Sequence, residues 1–300
     1  MSGTGTEAQR LLDNLMSLEE YVPGAPILKI GFGYPGNKSE QLDMILPHLP
    51  QSDIRVDVCG GSGSLLLNSP ESPLEIYNDR CSGVTAFFRC IRDREKCDQL
   101  KERIDGMIYS KDEWYFCKHS WESLHSDEVE RAARWFYTIH CSFASKMNEW
   151  GRFRTPNGLK MGKFEKYPIH MEKLHRRVQK WQIENDDFTV MLKRYDSKDT
   201  VFIIDPTYFD CTPGMYTYEL SKQQHRTLLD LVHTRDGFCA VSGYPNSLYD
   251  TEYDWDARYE WKHAKSTRAG IACEENNFQG HDPLDVRIPS TEVLWIKDFH

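Results

Sequence analysis

An uninterrupted apolar segment at residues 201–204, Val-Phe-Ile-Ile, is followed directly by Asp205-Pro206-Thr207-Tyr208. A run without alternating polar residues is typical of a parallel strand whose two faces are both buried. In open α/β sheets, ligands bind just beyond the carboxyl ends of such strands. The segment therefore predicts a buried strand that presents Asp205 and Tyr208 to a cleft, although taken alone it also fits an ordinary Asp-Pro turn.

The chemistry of these four residues suits a planar base. The carboxylate of Asp205 accepts hydrogen bonds from an amino group, and the carbonyl of Pro206 adds a second acceptor on a residue without an N–H of its own. The ring of Tyr208 offers a flat face for stacking. Together they predict a site that holds a base by its exocyclic amine.

A second pattern, nearer the N-terminus, is typical of nucleoside binding. A strand predicted at residues 54–59 leads into Gly60-Gly61-Ser62-Gly63, and a second strand predicted at 74–79 ends in Asp79. Glycines allow a tight turn and close approach of a ligand, and an acid after the second strand can accept ribose hydroxyls. Glycine-rich turns also occur for packing alone. Because no GxxxxGK[ST] motif is present, a nucleoside with a cationic tail fits better than a triphosphate.

Composition restricts the class of protein. The chain has a net charge of −9 and 39% apolar residues, which is typical of a globular protein. Its 300 residues suffice for one large α/β domain or for one domain with a sizeable insertion. No apolar run approaches the roughly 20 residues of a membrane span, and no signal peptide is recognisable. The nine cysteines form no CxxC pair, so we expect reduced thiols, no metal site and an intracellular protein.

One segment reverses the acidic balance of the chain. Residues 146–180 contain ten lysines and arginines against three glutamates, with aromatic residues among them. Such a segment fits either a solvated helix face or a surface that contacts nucleic-acid phosphates. The candidates for DNA contact are Lys146, Arg152, Arg154, Lys160 and Lys163.

Several motifs, in this order along the chain, resemble the Dam-like adenine-N6 DNA methyltransferases, especially those of phages and prophages. Residues 34–39, Tyr-Pro-Gly-Asn-Lys-Ser, are similar to that family's Tyr-Pro-Gly-Gly-Lys-Ser, and residues 57–64 resemble its cofactor loop. Residues 77–79, the pair Asp187-Phe188 and the strand at 292–295 also match. The resemblance covers residues 27–297. The family's Asp-Pro-Pro-Tyr corresponds here to Asp-Pro-Thr-Tyr, so Thr207 replaces a proline.

The resemblance implies a Rossmann-like, S-adenosylmethionine-dependent methyltransferase fold with an inserted, mostly helical target-recognition domain. The catalytic domain would comprise residues 26–110 and 183–300, the insertion would comprise 111–182, and residues 1–25 would form a tail or capping helix. The catalytic residues would be Asp205, Pro206, Thr207 and Tyr208. Residues that would bind S-adenosylmethionine are Tyr34, Pro35, Gly36, Lys38, Asp57, Cys59, Gly60, Gly61, Ser62, Gly63, Asp79, Asp187 and Phe188.

The implied activity is methylation of adenine N6 in double-stranded DNA, on a base flipped out of the duplex. We expect a monomer in the cytoplasm of a bacterial cell or a phage-infected host. The substitution at Thr207 leaves two alternatives open. The chain could be a catalytically weakened or inactive DNA-binding protein, or it could be an enzyme that acts on a modified base.

Overall fold

The computed structural model describes residues 21–30, 33–151, 167–210, 216–266 and 287–299. Its centre is a seven-stranded sheet with the strand order β3-β2-β1-β4-β5-β7-β6. The strands are β1 (Ile54–Asp57), β2 (Leu74–Asn78), β3 (Gln182–Glu184), β4 (Thr200–Ile204), β5 (Phe238–Gly243), β6 (Ala257–Ser266) and β7 (Arg287–Lys297). Strands β1 to β5 run parallel, and β7 is antiparallel to both β5 and β6. The predicted α/β architecture is confirmed.

Strand β4 is buried on both faces, as its unbroken apolar sequence predicts. All five of its residues are buried. Val201 and Ile203 pack into one hydrophobic cluster, whereas Phe202 and Ile204 pack into another on the opposite face. The register pairs Asp57 at the end of β1 with Tyr77 of β2 and Ile203 of β4. The carboxyl ends of the three strands therefore lie side by side.

The bounds of several predicted elements differ from the observed ones. Strand β1 ends at Asp57 rather than at 59, ahead of the glycine turn, and β2 ends at Asn78 rather than at 79. The last strand, which the apolar sequence predicts at 292–296, extends over 287–297. Strands β3 and β6 were not predicted. The first has three residues, and residues 257–262 of the second are exposed or half-buried, so neither carries the apolar pattern of a buried strand.

Helices cover both faces of the sheet. They are α1 (Leu42–Ile45), α2 (Ser64–Asn68), α3 (Ser82–Arg92), α4 (Arg94–Asp105), α5 (Lys111–Ser120), α6 (Glu128–His140), α7 (Tyr167–Val178), α8 (Phe188–Arg194), α9 (Lys222–Val232) and α10 (Ser247–Thr251). The spacing of apolar residues over 41–49 predicts a helix, but only the four residues of α1 are α-helical, followed by a 3-10 turn at Leu46–His48. Pro47 lies in that turn and cannot donate the hydrogen bond of a continuing α-helix.

Helices α5 and α6 lie within the predicted insertion at 111–182, yet they pack into the same hydrophobic cluster as the sheet. Trp114 of α5 and Trp135 of α6 belong to one cluster with Tyr77 of β2 and Phe87 of α3. These helices therefore contribute to the core of the molecule. The extent of a separate target-recognition unit stays a prediction.

Candidate active site

A cleft of about 400 Å³ opens at the carboxyl ends of β1, β2 and β4. It brings together residues from distant parts of the sequence, as expected for the edge of a parallel sheet. The predicted site residues that line it are Tyr34, Pro35, Gly36, Lys38, Asp57, Cys59, Gly60, Gly61, Ser62, Asp79, Asp187, Phe188, Asp205, Pro206, Thr207 and Tyr208. Gly63 faces the core instead, because a Cβ built on it would lie 3.0 Å from the ring of Phe88.

The glycine loop after β1 is held in a tight turn by the residues that follow β2. Gly61 and Gly63 have positive φ angles of 49° and 66°, in a region that favours glycine. The amide of Gly61 donates to Asp79 Oδ2 at 2.8 Å, and the hydroxyl of Tyr77 donates to the Gly61 carbonyl at 2.7 Å. The glycine loop after β1 and the acid after β2 are therefore hydrogen-bonded side by side, which is the arrangement of a nucleoside site.

We expect Gly60→Ala to destabilise this loop. A Cβ at Gly60 would lie 2.3 Å from the ring of Tyr77, which is itself fully buried. The ring would have to move, and its hydrogen bond to Gly61 would be strained. Overpacking of this kind costs about 1–3 kcal/mol of the free energy of unfolding, measurable by urea denaturation.

The matched control is Gly106→Ala, because a Cβ there meets its nearest atom at an ordinary 3.6 Å. Gly106 follows α4 with a φ of −80°, which alanine adopts without strain. We expect the control to be neutral or slightly stabilising. Equal stabilities of the two variants would contradict the close packing of Gly60 against Tyr77.

Two carboxyl groups in the cleft have raised pKa values. Burial raises the pKa of Asp79 to about 6, although hydrogen bonds from the amides of Cys81 and Gly61 act in the opposite direction. Asp57 is only 1% exposed, and burial together with the charges of Asp205 and Asp79 raises its pKa well above the usual range. Among the described residues, its Oδ1 atom has no hydrogen-bond partner. The charge of Lys38 and a hydrogen bond from the backbone of Leu66 lower the pKa of Asp57 but do not offset its burial.

Asp205 is held by side chains from two other elements. Lys38 Nζ donates to its Oδ2 atom at 2.6 Å, and Ser242 Oγ, at the end of β5, donates to Oδ1 at 2.6 Å. Lys38 is 3% exposed and also donates to the Gly36 carbonyl at 3.2 Å. The predicted cofactor residue Lys38 therefore contacts the predicted catalytic acid directly. Ser242 was not predicted, although it follows an apolar strand much as Asp205 does.

The side chain of Tyr208 is held at its hydroxyl and at its ring. Its hydroxyl donates to Glu292 Oε2 at 2.7 Å, and the edge of Tyr244 contacts the ring with centroids 4.3 Å apart. Burial, followed by the charges of Asp205 and Glu292, raises the pKa of Tyr208 well above its ordinary value. Glu292 is 3% exposed and directly precedes the apolar residues 293–296 of β7. An acid beside the apolar run of a strand is the signal from which this contact could have been inferred.

Asp187 and Phe188 line the cleft and also stabilise the start of α8 and the core beneath it. Asp187 is the N-cap of α8, where its Oδ1 atom accepts from the amide of Thr189 at 3.0 Å. Phe188 is 6% exposed and packs into the cluster that contains Val58. Neither contact by itself indicates a ligand, so a role in cofactor binding rests on their position in the lining.

Residues 34–269 match the family model of the D12 class N6 adenine-specific DNA methyltransferases. The chain belongs to this family. The matched range includes the glycine loop, Lys38, Asp79 and the Asp-Pro-Thr-Tyr tetrapeptide, and Glu292 of β7 lies beyond it. A search of curated proteins found no match to the chain. The D12 class enzyme methylates N6 of adenine in DNA, as its motifs predict.

The described part of this D12 class methyltransferase shows neither a metal-binding group nor a membrane-spanning helix. Its His, Cys, Asp and Glu side chains form no group of three or more that could hold a metal ion. No helix within the described ranges is long and apolar enough to cross a membrane.

The predicted DNA-contacting residues of the methyltransferase are described only in part. Lys146 lines the cleft beside the 3-10 turn at Phe143–Ser145. Its neighbours Ser145 and Met147 have positive φ angles of 58° and 59°, which are uncommon for residues other than glycine. Arg152, Arg154, Lys160 and Lys163 lie outside the described residues. Of the five candidates, Lys146 is therefore the one that the described residues place at the cleft.

Proposed function

We propose that this methyltransferase takes its methyl group from S-adenosylmethionine and delivers it to an adenine flipped out of double-stranded DNA. The observation that carries the proposal is the presence of Asp205 in the same cleft as the Gly60–Gly63 turn and Asp79. One part of this cleft has the chemistry to bind a nucleoside donor. The other part has the acceptors to bind an exocyclic amine.

The acid-rich lining suits this donor. S-adenosylmethionine carries a positive sulfonium and an ammonium group, and when bound it supplies a methyl group that is already activated for transfer. The buried cation Lys38 is engaged with Asp205. Six acidic residues line the cleft: Asp57, Asp79, Asp186, Asp187, Asp205 and Glu219. Asp57 retains a buried oxygen without a partner in the described part of the chain. A cationic group near Asp57 and ribose hydroxyls at Asp79 would satisfy these acceptors.

The target amine requires two acceptors, because the lone pair of adenine N6 is delocalised into the ring. Hydrogen bonds from its two protons to Asp205 and to the Pro206 carbonyl would favour a nucleophilic, tetrahedral nitrogen. Both oxygens of Asp205 already accept a hydrogen bond, from Lys38 and Ser242. The arriving amine therefore either displaces Lys38 or Ser242 from an oxygen of Asp205 or shares that oxygen with it. Until then, the hydrogen bond from Lys38 holds the carboxylate in its orientation.

The ring of Tyr208 gives the flipped base a stacking surface, and its contacts with Glu292 and Tyr244 limit its rotation. Orienting contacts of this kind supply much of the rate of a reaction whose methyl group is already activated. The proposal further assigns phosphate contacts to Lys146, Arg152, Arg154, Lys160 and Lys163. It assigns target recognition to residues within 111–182 of a monomer that acts in a bacterial or phage-infected cytoplasm.

The direct test is transfer of tritiated methyl from S-adenosylmethionine to unmethylated duplex DNA, with mass spectrometry of the nucleoside product. We expect N6-methyladenine in the duplex. A duplex whose adenines are already N6-methylated is the matched control and should accept no label. No binding of S-adenosylmethionine to the purified protein would overturn the donor assignment, and transfer to single strands only would overturn base flipping from the duplex.

The affinity for S-adenosylmethionine is expected to fall as the pH decreases through about 6. The pKa of Asp79 is raised to about 6, so the carboxylate that accepts ribose hydroxyls is lost by protonation below that pH and is fully present above it. One pH unit below this pKa, the affinity should be about tenfold weaker than at pH 8. Isothermal titration calorimetry between pH 5 and 8 measures the effect.

Asp79→Asn distinguishes this titration from that of the other acids. The variant should bind more weakly at pH 8, and the part of the pH dependence centred near 6 should disappear. Retention of the full pH dependence in Asp79→Asn would assign the titration to another group, such as Asp57.

A further inference from the structure

The residue that departs from the family tetrapeptide has a hydrogen bond of its own. Thr207 Oγ1 accepts from the backbone amide of Leu220 at 2.8 Å. We propose that Thr207 is a positioning residue, which ties the catalytic tetrapeptide to residues 216–220, here called the cleft wall. This inference rests on the proposed function, since it concerns the same cleft.

The amide of Leu220 lies just outside the helix that follows it. Helix α9 begins after Ser221, whose side chain forms a capping box with Gln224. Leu220 comes one residue earlier and therefore receives nothing from that cap. Because its amide donates to the hydroxyl of Thr207, a side chain without an oxygen at 207 would leave this partly buried donor without its acceptor.

The cleft wall reaches from the tetrapeptide to the opposite side of the site. All five of its residues line the cleft. The amide of Tyr216 donates to Glu219 Oε1 at 3.1 Å, so the first and fourth residues of the wall are held together. At the far end, the hydroxyl of Tyr216 lies 3.1 Å from the position of a Cβ on Gly36. The wall therefore bridges the segment around Gly36, next to Lys38, and the strand end that carries Asp205.

Within the tetrapeptide, Thr207 provides the contact to this wall. Asp205 is held by Lys38 and Ser242, and Tyr208 is held by Glu292. A proline at 207 would stiffen the backbone but would have no hydroxyl to accept the Leu220 amide. A proline at this position and one hydrogen bond contribute similar amounts to stability. Thr207 therefore exchanges the stiffness of a proline for a hydrogen bond to the cleft wall, and the tetrapeptide keeps its position.

Three substitutions test the tie: Thr207→Val, which keeps the shape without an acceptor, Thr207→Ser, which keeps the hydroxyl, and Thr207→Pro. Hydrogen exchange of the Leu220 amide is followed by NMR, and methyl transfer by steady-state kinetics. In Thr207→Val we expect exchange about fivefold faster and kcat about fivefold lower, the factor for one ordinary hydrogen bond. KM for S-adenosylmethionine should stay within twofold, because the contacts of Asp79 are untouched. Thr207→Ser should resemble the wild type, and Thr207→Pro should show the fast exchange.

The outcomes separate the tie from the proposed function. Equal exchange of Leu220 in the wild type and in Thr207→Val would show that the hydrogen bond does not hold the wall. Faster exchange with an unchanged kcat would show a tie that does not position the site, and either result overturns the proposal. If the wild type itself transfers no methyl group, the proposed function fails, while the exchange rates of Thr207→Val and Thr207→Ser still support or overturn the tie.

Discussion

Replacement of Asp205 with asparagine is expected to lower methyl transfer to adenine by about 10²–10³-fold, the range seen when one oriented polar group is removed from a catalytic site. An ionised carboxylate only accepts hydrogen bonds, whereas an amide places an NH₂ donor at one of its two positions. That donor would replace the oxygen that accepts from either Lys38 or Ser242, so the arriving amine would lose one acceptor. Single-turnover kinetics with saturating DNA measures the effect on the transfer step.

The matched control is Asp210→Asn, five residues along the chain. Asp210 is 61% exposed, pairs with the exposed Lys222 and has a positive φ of 58°, which asparagine also tolerates. We expect its rate within twofold of the wild type. Both variants should retain the melting temperature. A rate for Asp205→Asn within threefold of the control would show that the carboxylate is not the acceptor of the target amine.

Replacement of Glu75 with glutamine should have the largest effect on stability, about 3 kcal/mol of the free energy of unfolding. Glu75 is 4% exposed and accepts hydrogen bonds from two nitrogens of Arg177, which is 2% exposed, and from Trp181 Nε1 at 3.0 Å. Without the carboxylate, the guanidinium of Arg177 remains buried and uncompensated. Arg55 is also buried nearby, and desolvation lowers its pKa to about 10. Urea denaturation followed by circular dichroism measures the loss.

Glu71→Gln is the control for this prediction, because Glu71 pairs at 3.4 Å with Lys180, close to Arg177 in sequence. That lysine is 75% exposed, so the pair lies in solvent and we expect a change within about 0.5 kcal/mol. An equally small loss in the free energy of unfolding of Glu75→Gln would show that water solvates the charge of Arg177.

The Arg177–Glu75 pair also bears on where a target-recognition unit could begin and end. Arg177 lies in α7, inside the predicted insertion at 111–182, and Glu75 lies in β2. Arg177 further donates to the carbonyls of Leu66 at 2.7 Å and Leu67 at 3.2 Å in α2. This end of the segment is therefore bound to the sheet through a buried charge pair. It cannot move independently of the sheet without exposing or separating that pair.

The elements that could be predicted are those whose conformation depends on neighbours in sequence. The unbroken run at 201–204 predicts a doubly buried strand, and β4 is one. The glycines after β1 predict a tight turn, and the positive φ values of Gly61 and Gly63 confirm it. Strands such as β6 escaped prediction because an exposed edge strand has little apolar surface to bury.

The sequence by itself determined the family, the order of the motifs and the residue types of the site, because tight turns, buried strands and the tetrapeptide are encoded in a few adjacent residues. Only the tertiary structure decided which side chains meet. Lys38 and Asp205 are 167 residues apart, and Tyr208 and Glu292 are 84 apart. Those contacts depend on the register of strands across the sheet, which arises from packing of the whole core rather than from any local pattern.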